Sequence, residues 1–121
     1  MSIQKEHFGN MPDGQEVFKY TLTNKEGVSA SFITLGAVWV SMMVPDREGK
    51  MTDVVLGYDY LESYLQNPPH FGAPIGRNAN RIGGAVITID GVDYKLAANN
   101  GPNNLHSAPN LYHIRLWECT E

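Results

Sequence analysis

The chain has 121 residues, 42% hydrophobic and 18% charged, with nine Lys and Arg against thirteen Asp and Glu and a formal net charge of -4. That composition suits one globular domain and not a disordered tail, and the absence of a basic stripe argues against a nucleic-acid partner. One cysteine, Cys119, excludes an internal disulfide framework. The opening MSIQKEHFGN lacks the basic and apolar blocks of a secretory signal, and no apolar run approaches the roughly 18 residues of a spanning helix. The expectation is a cytoplasmic protein without membrane contact.

In chain order, EVFKYTLT (16–23) alternates apolar and polar residues, predicting a half-buried strand with Phe18, Tyr20 and Leu22 on one face and Lys19, Thr21 and Thr23 on the other. NKEG turns the chain. VSASFITLGAVWVSMMVP (28–45) is rich in β-branched and aromatic residues, and Gly36 marks a bend between two strands. TDVVLGY (52–58) reads as a further strand. Helix signals are confined to DYLESYLQ (59–66), where Tyr60 and Tyr64, and Leu61 and Leu65, recur at spacing four until NPP stops the turn.

The clearest supersecondary signal is AVITIDGVDYKL (85–96). A two-residue loop at Asp90-Gly91 pairs Ile89 with Val92, Ile87 with Tyr94 and Ala85 with Leu96, so that all six share one face. LYHIRLWECTE (111–121) reads as a strand that offers Leu111, Ile114, Leu116 and Trp117 for burial, either at a sheet edge or lacking its partners. These elements sum to an all-β chain of sandwich or barrel type.

Planar polar residues crowd into FGAPIGRNANRIGG (71–84) and NNGPNNLHS (99–107). Asn and Arg offer directional hydrogen-bonding groups, and the fork of donors on Arg suits vicinal oxygens, the lining a sugar requires. The competing reading is that Asn and Gly here only make turns, and for any single Asn turn chemistry favours it by about three to one. Arg81 stands even between the two, and composition alone grants His106 about one chance in three of a functional role. His7 and His113 carry no signal, and His70, after two prolines, reads either way. The histidines lack metal spacing, so no metal is expected. The RIGG glycines lack the strand-to-helix context of a phosphate loop, so no nucleotide is expected either.

GRxANRI at 76–82, DGxxYxL at 90–96 and NNGPNxLH at 99–106, together with FITLGAVWVSMMVPDREGKMTDVVLGYDYLESY upstream, resemble the N-terminal part of the aldose 1-epimerase (galactose mutarotase) family. The resemblance implies an antiparallel β-sandwich of galactose mutarotase-like supersandwich type, of which residues 1–121 form the N-terminal part of a single domain. It also implies interconversion of the α and β anomers of an aldohexose such as galactose or glucose, by paired acid and base catalysis without a cofactor.

Carried over by motif, Arg81 and Asn80 match sugar-binding residues, His106 matches a residue of the sugar and catalytic site, and Arg77 falls to a structural role. The general acid and base of the family lie beyond the stretch matched here, so the chain alone is expected to be inactive or nearly so. The alternative is a non-catalytic carbohydrate-binding module or assembly partner. Where the family continues with glycines after the histidine, this chain has Ser107-Ala108 and Leu111-Tyr112, which predicts a differently shaped loop. A partial sandwich exposes edges and apolar faces, so self-association is expected, with Leu116 and Trp117 near the contact.

Overall fold

The computed structural model describes residues 1–120. They divide into two compact units, one of Met1–Pro74 with the described residues from His113 onward, the other of Ile75–Tyr112. Among the described residues no helix is long and apolar enough to cross a membrane.

The first unit is built on an antiparallel meander of β1 (Ser2–Asn10), β2 (Glu16–Thr23), β3 (Ser29–Ile33), β4 (Trp39–Pro45) and β5 (Met51–Asp53), each strand beside the next. Short polar side chains close its turns. Asn24 Oδ1 accepts from the backbone N–H of Glu26 and Val28, and Asp46 Oδ1 from Glu48 and Lys50; such side-chain caps fold the chain back before any long-range contact forms. Between β3 and β4 the reversal expected at Gly36 is present. Its φ is 68°, its N–H donates to the Arg115 carbonyl at 2.6 Å, and a β-carbon there would strike the backbone of His113.

The core gathers Val17, Ile33, Leu35, Val38 and Val40 with Leu61 and Tyr64. The last two come from α1 (Leu61–Gln66), the one α-helix among the described residues, which meets β1 where Gly9 leaves room; a β-carbon on Gly9 would lie 2.9 Å from Leu61 Cδ2. The helix is where the sequence places it, but its buried stripe is Leu61 and Tyr64, three apart, while Tyr60 is 72% exposed. Six residues make too few turns for two stripes at spacing four to face one sheet.

One further expectation holds in its pattern, and two are corrected. Phe18, Tyr20 and Leu22 do share a face, but the tightest packing is on the other, where Val17 is fully buried and Lys19 lies opposite Ile33. Apart from Val17 and Ile33 that second face is polar, with Lys19 paired to Glu6 and Thr21 bonded to Ser31, so alternation pointed to the other face and could not tell which one α1 covers. The strand read at 52–58 stops at Asp53: its Oδ1 accepts from the N–H of Met42 and of Val55, and Val54 and Leu56 turn outward into solvent. The run from Leu111 is not a continuous strand. It forms a 3₁₀ turn at Tyr112–Ile114 that buries His113 and exposes Ile114, and then one bridge joins Leu35 to Leu116.

The second unit holds two small antiparallel pairs, β6 (Arg81–Ile82) with β9 (Asn104–Leu105), and β7 (Val86–Ile89) with β8 (Val92–Lys95). The hairpin has the expected register, Ile89 opposite Val92 and Ile87 opposite Tyr94. Asp90 and Gly91 adopt φ of 50° and 78°, the doubly left-handed loop whose twist suits two strands. Its shared face is nevertheless open, with Ile89, Val92 and Tyr94 about half exposed. Alternation decides which side chains stand together, not whether a second layer covers them.

Candidate functional site

The β6–β9 ladder brings the two polar segments together. Arg81 lies opposite Leu105 and Ile82 opposite Asn104, so the next pair outward is Asn80 and His106. Two bonds close it: the His106 N–H donates to the Asn80 carbonyl, and the Asn80 N–H donates to His106 Nδ1, both at 3.0 Å. A backbone N–H can only donate, so Nδ1 must present its lone pair, and the neutral ring carries its proton on Nε2. One turn of backbone thus sets the tautomer of His106.

Ser107 extends the latch. Its Oγ accepts from the Asn78 N–H at 2.8 Å and donates to the Asn78 carbonyl at 3.1 Å. Asn80, His106 and Ser107 all take left-handed φ, between 58° and 64°. Ser107 therefore supplies, at a position where the resemblance leads one to expect glycine, the conformation that glycine adopts at least cost.

Arg81 is exposed and held at two edges. Its Nε donates to Asn100 Oδ1 at 2.7 Å, and its Nη1 approaches Asn80 Oδ1 at 3.4 Å. The other asparagines serve the backbone. Asn99 accepts from the Leu105 N–H and donates to the Leu105 carbonyl, in the manner of a neighbouring strand. Asn103 accepts from the Gly84 N–H. Asn104, 1% exposed, donates to the carbonyls of Ala97 and Ala108. Turn chemistry therefore claims most of the asparagines individually, as their propensity suggests, and the planar groups that remain converge on Arg81 and His106.

Of the sequence candidates, Asn80, Arg81 and His106 stand together; Arg77 is exposed. His70 and His113 lie in the first unit with ring centroids 4.7 Å apart, and His7 bonds to Asn10. Sequence reading missed Asn100, Asn78 and Ser107. The isolated Asn100–Asn103 bridge, which turns Asn100 back toward Arg81, has no signal in composition.

Elsewhere three ionisable groups are perturbed, and the first, the exposed Asp13 carboxyl, is lowered by hydrogen bonds from the backbone N–H and side-chain amide of Gln15. Burial pushes the Tyr64 phenol above its ordinary value, against the opposing bond from the Tyr58 N–H. Partial desolvation raises Asp53, but the N–H groups of Met42 and Val55 outweigh it and hold the carboxyl below the usual range.

A family model for aldose 1-epimerase matches residues 19–121. The chain is 41% identical over 117 residues to galactose mutarotase of Bos taurus, covering 97% of this chain and 34% of that protein. It is 38% identical over 116 residues to galactose mutarotase of Homo sapiens, covering 96% and 34%. With the aldose 1-epimerase of Escherichia coli K12 it shares 35% over 107 residues, covering 88% and 31%. Among solved structures, an aldose epimerase homologue from C. elegans superposes with a TM-score of 0.76 at 36% identity, over 84% of this chain and 31% of that one. Galactose 1-epimerase from Lactobacillus acidophilus superposes with a TM-score of 0.81 over 97% and 33%, a likeness of fold alone at 18% identity. The chain spans about a third of the length of these relatives.

Proposed function

This chain belongs to the aldose 1-epimerase family, and from that premise we propose that Arg81, Asn80 and His106 form one wall of an aldohexose site serving the interconversion of α and β anomers. The observation that carries the reading is the closed pair of bonds between Asn80 and His106 beside the tethered guanidinium of Arg81. It makes Nε2–H the donor of the His106 ring and tethers the guanidinium of Arg81, two groups that complement sugar hydroxyl and ring oxygens.

In the proposed reaction a proton reaches the ring oxygen as the bond from it to the anomeric carbon breaks, while a base takes the proton of the anomeric hydroxyl. The open aldehyde rotates and recloses on its other face. His106 contributes as a hydrogen-bond donor to the sugar through Nε2, since Nδ1 is occupied by the Asn80 N–H. Arg81 contributes fixed positive charge beside oxygens that gain electron density as the ring opens. The only carboxylates of the second unit, Asp90 and Asp93, sit on the hairpin, where Asp93 is engaged by Thr88. On the family resemblance, and not by elimination, we assign the acid and base steps to groups outside these 121 residues, with the chain as the N-terminal part of one sandwich domain.

Anomer equilibration of freshly dissolved α-D-galactose and α-D-glucose, followed by polarimetry, is the test. The expected outcome is equilibration no faster than buffer for this chain alone, with millimolar galactose binding in calorimetry that His106→Ala and Arg81→Ala each abolish. Turnover well above buffer that His106→Ala removes would sink the inactive reading. The runner-up, a carbohydrate-binding module, is separated by whether a longer form of the protein turns sugar over. Exposed free Cys119 suits a reducing compartment, the cytoplasm. Alone, the chain pairs with a second copy of itself along β1, a nine-residue strand bonded only to β2 among the described residues.

A further inference from the structure

Asn99, Asn103 and Asn104 spend their amides on backbone groups; Asn100 spends its carbonyl oxygen on a side chain. Asn100 Oδ1 accepts the Nε–H of Arg81 at 2.7 Å, closer than the 3.4 Å approach of Arg81 Nη1 to Asn80. The acceptor is itself held, since the Asn100 N–H donates to the Asn103 carbonyl and the Asn103 N–H donates back to Asn100, both at 3.1 Å. Gly101, at φ 58°, closes that small loop.

Arg81 is exposed and would otherwise sample many rotamers, each giving its donors a different direction. Of its five N–H donors, Nε–H is engaged by Asn100 and one on Nη1 is drawn toward Asn80. The outer edge of the guanidinium, formed by both terminal nitrogens, is the edge these tethers leave for a ligand.

We propose that Asn100 is the positioning residue for Arg81: by accepting Nε–H it turns the outer edge of the guanidinium toward the sugar. The proposal rests on the reading of Arg81 as a hexose donor. The gain is pre-organisation, because rotamer freedom is surrendered on folding and not on binding. An amide bonding only its own loop would be indifferent to Arg81.

Nitrogen-15 NMR of the Arg81 side chain tests the coupling apart from the sugar. In the wild-type chain the Arg81 Nε–H is expected to exchange slowly with water; in Asn100→Ala exchange accelerates, while the backbone amides of Ile82 and Leu105 keep their positions. Asn100→Asp retains an accepting oxygen, restores slow exchange, and makes the Arg81 Nε–H resonance move as the introduced carboxylate titrates, which keeps the test decisive if Asn100→Ala does not fold. For galactose, Asn100→Ala is expected to bind about tenfold more weakly, with Asn100→Asp near wild type. Unchanged Nε–H exchange in Asn100→Ala, or a resonance indifferent to the introduced carboxylate, overturns the proposal. Coupling without any sugar binding by the wild-type chain supports the tether and rejects the hexose reading instead.

Discussion

His106 and Asn80 face each other in left-handed conformations, φ 58° and 64°, which non-glycine residues hold only where their surroundings over-determine them, at a cost of about 1–3 kcal/mol each. The reciprocal bonds between them and the Ser107 latch on Asn78 supply that constraint. Asp53 shows the same economy in the other unit. One carboxylate oxygen receives the Met42 and Val55 N–H groups, ends β5 and lowers its own pKa. A carboxyl lowered in the folded state stabilises the fold above its unfolded pKa of about 3.9, and that contribution fades as pH falls through the lower folded value. Asp53→Ala is therefore expected to cost stability at pH 7 and to converge on wild type as denaturation is followed below about pH 4. A deficit constant over that range would show that the charge plays no part.

At the scale of elements, α1 acts as a plug. It is too short to stand alone, and it persists because Leu61 and Tyr64 enter the core with Val17 and Ile33, and Gly9 has no side chain to exclude Leu61. Leu61→Ala is expected to cost about 2–5 kcal/mol in urea denaturation, the range for emptying a fully buried leucine site. The exposed Leu65→Ala on the same helix should change stability by well under half of that. Equal losses would mean that the helix is held by its own propensity. The β7–β8 hairpin is the opposite case, held by local turn chemistry at Asp90-Gly91 with its apolar face half open.

For the molecule as a whole, apolar exposure is the dominant surface feature. Phe32 and Trp39 stack with centroids 6.0 Å apart yet remain 36% and 38% exposed, and Trp117 is 42% exposed. Leu116, expected beside Trp117 at a contact, packs against the core instead. Open apolar surface together with a long edge strand favours association. Light scattering is expected to report a dimer or larger species that Trp117→Glu shifts toward monomer. A strictly monomeric chain with one cooperative melt would refute that.

Patterns local in the chain carried much of this. The Asp90-Gly91 hairpin and its register, the reversal at Gly36, the extent of β2 and the place of α1 were legible because turn chemistry and alternation act over a few neighbouring residues. The motifs at 76–82 and 99–106 were legible as a family resemblance for a different reason: they hold residue types at a spacing that a shared fold imposes. What remained for the tertiary structure were the decisions that need a partner distant in sequence. These are which face of the sheet α1 covers, that Asp53 ends β5 by bonding Met42, that His113 and not Ile114 is buried, and that Asn100 reaches back nineteen positions to Arg81. Periodicity records how side chains are dealt to two faces; only the folded chain determines what each face meets.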